Sequence, residues 1–356
     1  MSLSFANSSR VRSASASPPL NGVVDFRRRA FPVLLVAAGA YNLVLATVLG
    51  LFTGTLFGWF GVEPPGSPLV WRCVAAAVGA YGLLYLHAAR RMERARPIVA
   101  VGLLAKVLTP AVLIGLVAQG TGVVVGRMLP LIVLSTMVWW VPFAALVLEG
   151  TRNAGRVRAA APWVCAGLHA AAGLAMLLVL RGGTEAEPLL AGRMAYVDAH
   201  AAAWRAGFAV WMAAGMSVMA LYAWWAPAVR SPRVAVAALL LAGAGLACDL
   251  SGEALYVGWL PLLTGDAAGF AHAQRVGTVL TAVFANGFYT AAGIALTLGT
   301  PALPRPVRAL AWAAWTAGIV LSVCGAAGWA MGLVAASGVL FPALVLLALM
   351  LSRVLR

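Results

Sequence analysis

From Phe31 to Ser352 the chain alternates between apolar stretches and short polar joints. The stretches are about 20 residues long, the length that a hydrocarbon core of about 30 Å demands of a helix. Ten such spans are predicted, at 31–57, 69–89, 97–118, 129–149, 162–181, 201–226, 234–260, 276–299, 307–326 and 332–352. None shows the period-two alternation of a barrel strand. Backbone groups in lipid must be satisfied within their own segment, so the spans are read as helices. The expected fold class is an all-α, polytopic integral membrane bundle.

Composition strengthens this reading. The 356 residues are 63% hydrophobic and only 10% charged, with a mean hydropathy of +0.94. Soluble domains average about 45–50% apolar and about 25% charged residues. A water-soluble fold of this size would need the missing charges to cover its surface.

The formal charge of +15 raises the question of nucleic acid. The basic residues, however, fall in short runs between spans, such as Arg27-Arg28-Arg29 and Arg90-Arg91. That is the distribution of topology signals and not of one basic face, so nucleic-acid binding is not expected. With the N-terminus inside, the cytoplasmic segments hold eighteen arginines: 10, 12, 27–29, 90, 91, 94, 96, 152, 156, 158, 230, 233, 305, 308, 353 and 356. The opposite side receives Arg127, Arg181, Arg193 and Arg275, while Arg72, Lys106 and Arg205 fall within spans. An error in the span count would invert every assignment after it, so the asymmetry supports both ten spans and an N-in/C-in orientation. The implied location is the plasma (inner) membrane, with anionic lipid headgroups as partners of the cationic face. The acids lean outward, with Glu63, Glu185, Glu187, Asp198 and Asp266 in the outer loops.

Residues 1–30 have no apolar run before Phe31 and only Asp25 as an acid. They read as a disordered basic cytoplasmic tail, with an organelle transit peptide as the alternative. The polar linker Arg152–Arg158 divides the spans into a four-helix group (31–150) and a six-helix group (162–356) without a convincing internal repeat. Small-residue spacings such as Ala75-x-x-x-Gly79 and Gly243-x-x-x-Ala247 are read as packing background in so Ala- and Gly-rich a chain. The four cysteines lie far apart inside apolar stretches, which implies neither a disulfide framework nor a metal site. His87, His200 and His272 are too scattered to ligate, and His169 reads as a packed histidine. No cofactor is expected. P-loop, HExxH, GxSxG and paired Asp-rich diphosphate motifs are lacking, which disfavours ATP hydrolysis, zinc proteolysis and serine hydrolysis.

Ionisable groups inside spans are costly and therefore candidates for function. The densest run is Asp249-Leu-Ser-Gly-Glu253-Ala-Leu-Tyr256 in the seventh span. Spacings of four and three place these side chains on one helix face. Asp249 falls just past mid-depth and the other two lie outward of it. Two carboxylates so close in a poor dielectric do not both ionise cheaply, so one keeps a proton or a cation neutralises the pair. Asn286 and Tyr289 of the eighth span and Arg205 of the sixth share this depth, with snorkelling to the interface the simpler reading for Arg205. Lys106, the sole lysine, sits near the centre of the third span beside Pro110. It is expected to act as the counter-ion of Asp249 or Glu253, or else as a base or Schiff-base former.

Three functions fit these residues. The first is a small-solute carrier or binder with the carboxylates as its proton or cation site. The second is an intramembrane enzyme acting on a lipid or isoprenoid, and the third a scaffold in which every polar group is structural. They differ in what surrounds the carboxylates: a polar cavity, a pocket open to lipid, or complete pairing.

Overall fold

A computed structural model describes residues 20–63, 66–116, 122–149 and 151–355. Among these residues the chain is helical, with no strand. In order the helices are α1 (Leu20–Leu51), α2 (Thr53–Trp59), α3 (Pro68–Arg90), α4 (Ala95–Leu116), α5 (Gly122–Ser135) and α6 (Trp140–Leu148). After these come α7 (Ala154–Ala175), α8 (Leu190–Ala199), α9 (Ala201–Trp225), α10 (Pro232–Gly258), α11 (Ala267–Thr278), α12 (Asn286–Gly299), α13 (Arg305–Ala327) and α14 (Ala330–Val354).

Nine helical segments among the described residues are long and apolar enough to cross a membrane. The remaining expected span, 97–118, is occupied by the 22-residue α4, which carries Pro110. The chain is therefore a multi-pass helical membrane bundle. The expected tail lies outside the described residues up to position 19. From Leu20 the chain is already helical, so α1 begins well before the apolar run. Arginine and leucine are good helix formers, and no Pro stands between Leu20 and Phe31 to stop the helix.

Four spans predicted as single helices are composite, the first of them broken at Phe52 between α1 and α2. The fourth breaks at Thr136, where a 3-10 turn (Met137–Trp139) separates α5 from α6. In the fifth, α7 widens into a π-helical turn at Met176–Leu180. The eighth is α11 and α12 joined by a seven-residue π-helical segment, Val279–Ala285. Such insertions are rare in helices and frequently mark functional sites. The short α8 crosses nothing; it lies between the fifth and sixth spans.

Exposure is inverted relative to a soluble protein. Leu178, Leu51 and Val44 are 78%, 74% and 64% exposed. Thr290, Thr297, Thr300, Ser217 and Gln274 are buried. Apolar groups face outward because lipid is the solvent, and polar groups turn inward to find partners.

Contacts between the connecting segments sort them into two ends. At one end Arg127 donates to the Gly61 carbonyl, and Trp259 Nε1 donates to the Arg127 carbonyl at 2.8 Å. There too Thr264 Oγ1 donates to Asp198 at 3.0 Å, and Arg275 donates to the carbonyls of Gly325 and Ala326 at 3.1 and 3.0 Å. At the other end the Arg230 amide donates to the Gly299 carbonyl at 2.8 Å, and Arg158 pairs with Glu149 at 2.9 Å. This is the alternation that the arginine sorting requires, with Arg127, Arg181, Arg193 and Arg275 at the arginine-poor end.

Helix α10 occupies the middle of the bundle. It packs against α9, α12, α5, α11 and the π-helical segment. Glycine lets these helices approach closely: a Cβ on Gly126 of α5 would stand 3.0 Å from the Gly258 carbonyl of α10. The two small-residue spacings differ in use. Gly79 lies on Ala46, where α1 crosses α3, whereas a Cβ on Gly243 would meet nothing within 4 Å. The main core joins α7, α9, α10, α12, α13 and α14, with Val133 of α5 reaching into it. A separate cluster around Leu35, Tyr85, Val99 and Phe143 holds α1, α3, α4 and α6 together.

Candidate functional site

The acidic run lies on α10 where three elements converge on it. Asp249 is half-buried, and Tyr289 of α12 donates its hydroxyl to Asp249 Oδ2 at 3.2 Å. Gly215 of α9 faces the same carboxylate oxygen: a Cβ there would stand 2.5 Å from it and 3.5 Å from the Tyr289 hydroxyl. Only glycine leaves that oxygen its space. The Tyr289 ring lies over Gly245 of α10, and the Tyr222 hydroxyl of α9 donates to the Tyr289 carbonyl at 3.0 Å. Asp249 is thus set by one phenol and one glycine, each from a different helix.

Glu253, one turn outward, is 3% exposed, and its Oε2 is buried without a hydrogen-bond partner among the described residues. Also among the described residues, no Lys, Arg or His nitrogen lies within 4.0 Å of either carboxylate. Most buried polar atoms in native structures are bonded, and among the described residues this oxygen shares its unpartnered state with Trp139 Nε1, Arg193 Nε and Trp211 Nε1.

Tyr256 continues the face outward but belongs to a different set of contacts. Its hydroxyl bonds Thr278 Oγ1 at 3.0 Å, and Thr278 Oγ1 in turn donates to Glu185 Oε1 at 2.7 Å. Its carbonyl accepts from Trp204 Nε1 at 2.7 Å, and its ring stacks on Phe208 with centroids 4.6 Å apart.

The other candidates go elsewhere. Asn286 turns to α13, where its amide donates to the Gly318 carbonyl at 2.6 Å and to Ser322 Oγ at 2.9 Å. Ser322 donates toward the carbonyls of Ala282 and Val283 at 3.1 and 3.3 Å, so this pair serves the π-helical backbone. Arg205 is exposed and donates to the Val257 carbonyl at 3.3 Å. Lys106 does not act as a counter-ion to the acids. Its Nζ donates to the Ser135 carbonyl at 2.6 Å and stands 5.9 Å from the centre of the Trp139 ring. The break before the Met137–Trp139 turn frees that carbonyl, and the lysine satisfies it locally. His169 bonds the carbonyl of Cys165 at 2.9 Å in a buried position, as a packed histidine does. Among the described residues no group of three or more His, Cys, Asp or Glu could hold a metal ion.

Sequence reasoning missed Gly215, Tyr222, Thr278 and the inward role of Glu185. Each matters only through a contact between segments distant along the chain, and no local spacing signals it. Two surface hollows lie away from Asp249 and Glu253. One of about 800 Å³ sits at the arginine-poor end between α8 and the start of α11, and includes Asp198 and Thr264. The other, about 260 Å³, is lined by Val48, Phe52, Thr55, Leu56 and Trp59.

The fold is that of a polytopic helical membrane protein whose central helix carries two carboxylates with no basic group within 4.0 Å among the described residues. No family model, curated protein or solved structure matches the chain.

Proposed function

We propose that this chain is a small-solute carrier or binder of the plasma membrane, in which Asp249 and Glu253 form the proton or cation site. The arginine-rich end faces the cytoplasm and anionic headgroups, in keeping with the positive-inside rule. The observation that carries the reading is Glu253: buried, with Oε2 unpartnered and no basic group near either carboxylate among the described residues. A scaffold would pair these groups fully, since an unsatisfied buried polar atom costs about 1–3 kcal/mol, and more when charged. Occupation by a proton or a small cation removes that cost. The irregular span beside the pair supports the reading, because π-helical turns recur at functional sites. Asp249 just past mid-depth is where alternating access requires a coupling group.

The test uses purified protein in liposomes with a pH-sensitive dye trapped inside. Panels of amino acids, sugars, organic acids and organic cations are added outside. Solute-driven proton movement is expected from the parent and not from the Asp249→Asn, Glu253→Gln double variant. Equal signals from the parent and a folded double variant would overturn the reading.

A further inference from the structure

Outward of Glu253, a hydrogen-bonded line runs from Tyr256 through Thr278 to Glu185. The Tyr256 hydroxyl and Thr278 Oγ1 share a hydrogen bond of 3.0 Å in which either can donate, and Thr278 Oγ1 reaches Glu185 Oε1 at 2.7 Å and the Gln274 carbonyl at 3.0 Å. Glu185 belongs to the loop between the fifth and sixth spans, yet the loop is folded inward. Gln274 Nε2 holds the Gly183 carbonyl at 3.2 Å, and Gly183 is buried against Trp204 and Val197. A Cβ at Gly183 would overlap both side chains, so the loop reaches this depth only with glycine there. Tyr196 pins the same region by donating to the Val179 carbonyl. On the inner side of Tyr256 comes Glu253, one turn of α10 away and without a partner on Oε2. Inward again are Asp249 and the Tyr289 hydroxyl. Three carboxylates and three hydroxyls are thus ordered from the arginine-poor end to Asp249 and Tyr289.

We propose that Glu185 is the outer proton acceptor of this protein, and that Thr278 and Tyr256 relay its proton to the Glu253–Asp249 pair. The inference rests on reading that pair as protonatable. The step balances as a chain of exchanges. Glu185 takes a proton from outer water and passes it to Thr278 Oγ1, which releases its own proton to the Tyr256 oxygen. Tyr256 then releases its hydroxyl proton to Glu253. One proton leaves Glu185, one arrives at Glu253, and both hydroxyls end neutral with their hydrogens reversed. Among the described residues no direct hydrogen bond joins the Tyr256 hydroxyl to Glu253, one turn away on the same face of α10, so this transfer requires a water or a turn of the glutamate side chain. Of the charged groups nearby, Arg193 donates through one terminal nitrogen to the Glu187 carbonyl at 3.0 Å while its Nε is buried without a partner among the described residues, and Asp198 accepts from Thr264.

The full chain, reconstituted in lipid, is transferred from H2O to D2O while the protonated-carboxyl stretch is followed by infrared spectroscopy. A buried acid band is expected that is lost in Glu253→Gln or Asp249→Asn. In Glu185→Gln and Thr278→Val its amplitude stays and its exchange slows by about tenfold or more, as loss of one charge-assisted hydrogen bond implies. Thr278→Ser keeps the hydroxyl and restores the parental rate, an outcome that a purely structural role would not give. Where Glu185→Gln fails to fold, the Thr278→Val and Thr278→Ser pair decides. A parental exchange rate in folded Thr278→Val or Glu185→Gln overturns the relay while leaving the carboxylate site intact. Absence of any band that depends on Glu253 or Asp249 overturns the site itself.

Discussion

Tyr289 of α12 donates its hydroxyl to Asp249 Oδ2 of α10 at 3.2 Å, at the point where Gly215 of α9 makes room for the carboxylate. Three helices from separate parts of the chain thus fix one oxygen. Tyr289→Phe leaves that oxygen without its donor and is expected to cost about 1–3 kcal/mol. A double-mutant cycle with Asp249→Asn, read by unfolding in mixed micelles, should show a coupling of about 0.5–3 kcal/mol. A coupling near zero would mean that the bond contributes nothing to stability.

Gly215 and Gly243 make a matched pair. A Cβ at Gly215 would press on the Asp249 carboxylate at 2.5 Å, whereas one at Gly243 meets open space. Gly215→Ala is expected to destabilise by about 1–3 kcal/mol and to disturb any activity of the site. Gly243→Ala should be neutral or stabilising by up to about 1 kcal/mol, because Ala holds a helix better than Gly. Thermal unfolding of the two variants side by side checks this.

Lys106 should prove independent of the acids. Its Nζ is committed to the Ser135 carbonyl, on the far side of the break in the fourth span. Lys106→Met combined with Glu253→Gln is therefore expected to give stability changes that add within about 0.5 kcal/mol. Mutual rescue in the double variant would restore the counter-ion pairing expected from the sequence.

Orientation can be read with single cysteines placed in a background lacking Cys73, Cys165, Cys248 and Cys324. Thr264→Cys lies at the arginine-poor end and Ser231→Cys at the other. An impermeant maleimide added to intact cells should label position 264 and leave 231 unlabelled until the cells are opened. The reverse result would invert the proposed direction of the relay.

The sequence by itself determined the solvent, the element type and the alternation of ends. Those properties follow from local quantities: run length against bilayer thickness, and the side on which arginines accumulate. It also placed Asp249, Glu253 and Tyr256 on one face of α10, because helical spacing is periodic. Tertiary structure decided the partners. Equal depth proved a poor guide to contact, since Asn286 lies one turn from Tyr289 yet turns to α13. Lys106, also read as near mid-depth, is held within the first group of helices. Depth is one coordinate, whereas contact also needs rotation about the helix axis and neighbour identity. Those are set by which glycines let helices close and by where the π-helical and 3-10 turns shift the register. The inward fold of Glu185 onto Thr278 is the clearest case. Nothing in its loop's composition marks it, and only packing brings it to the acidic line on α10.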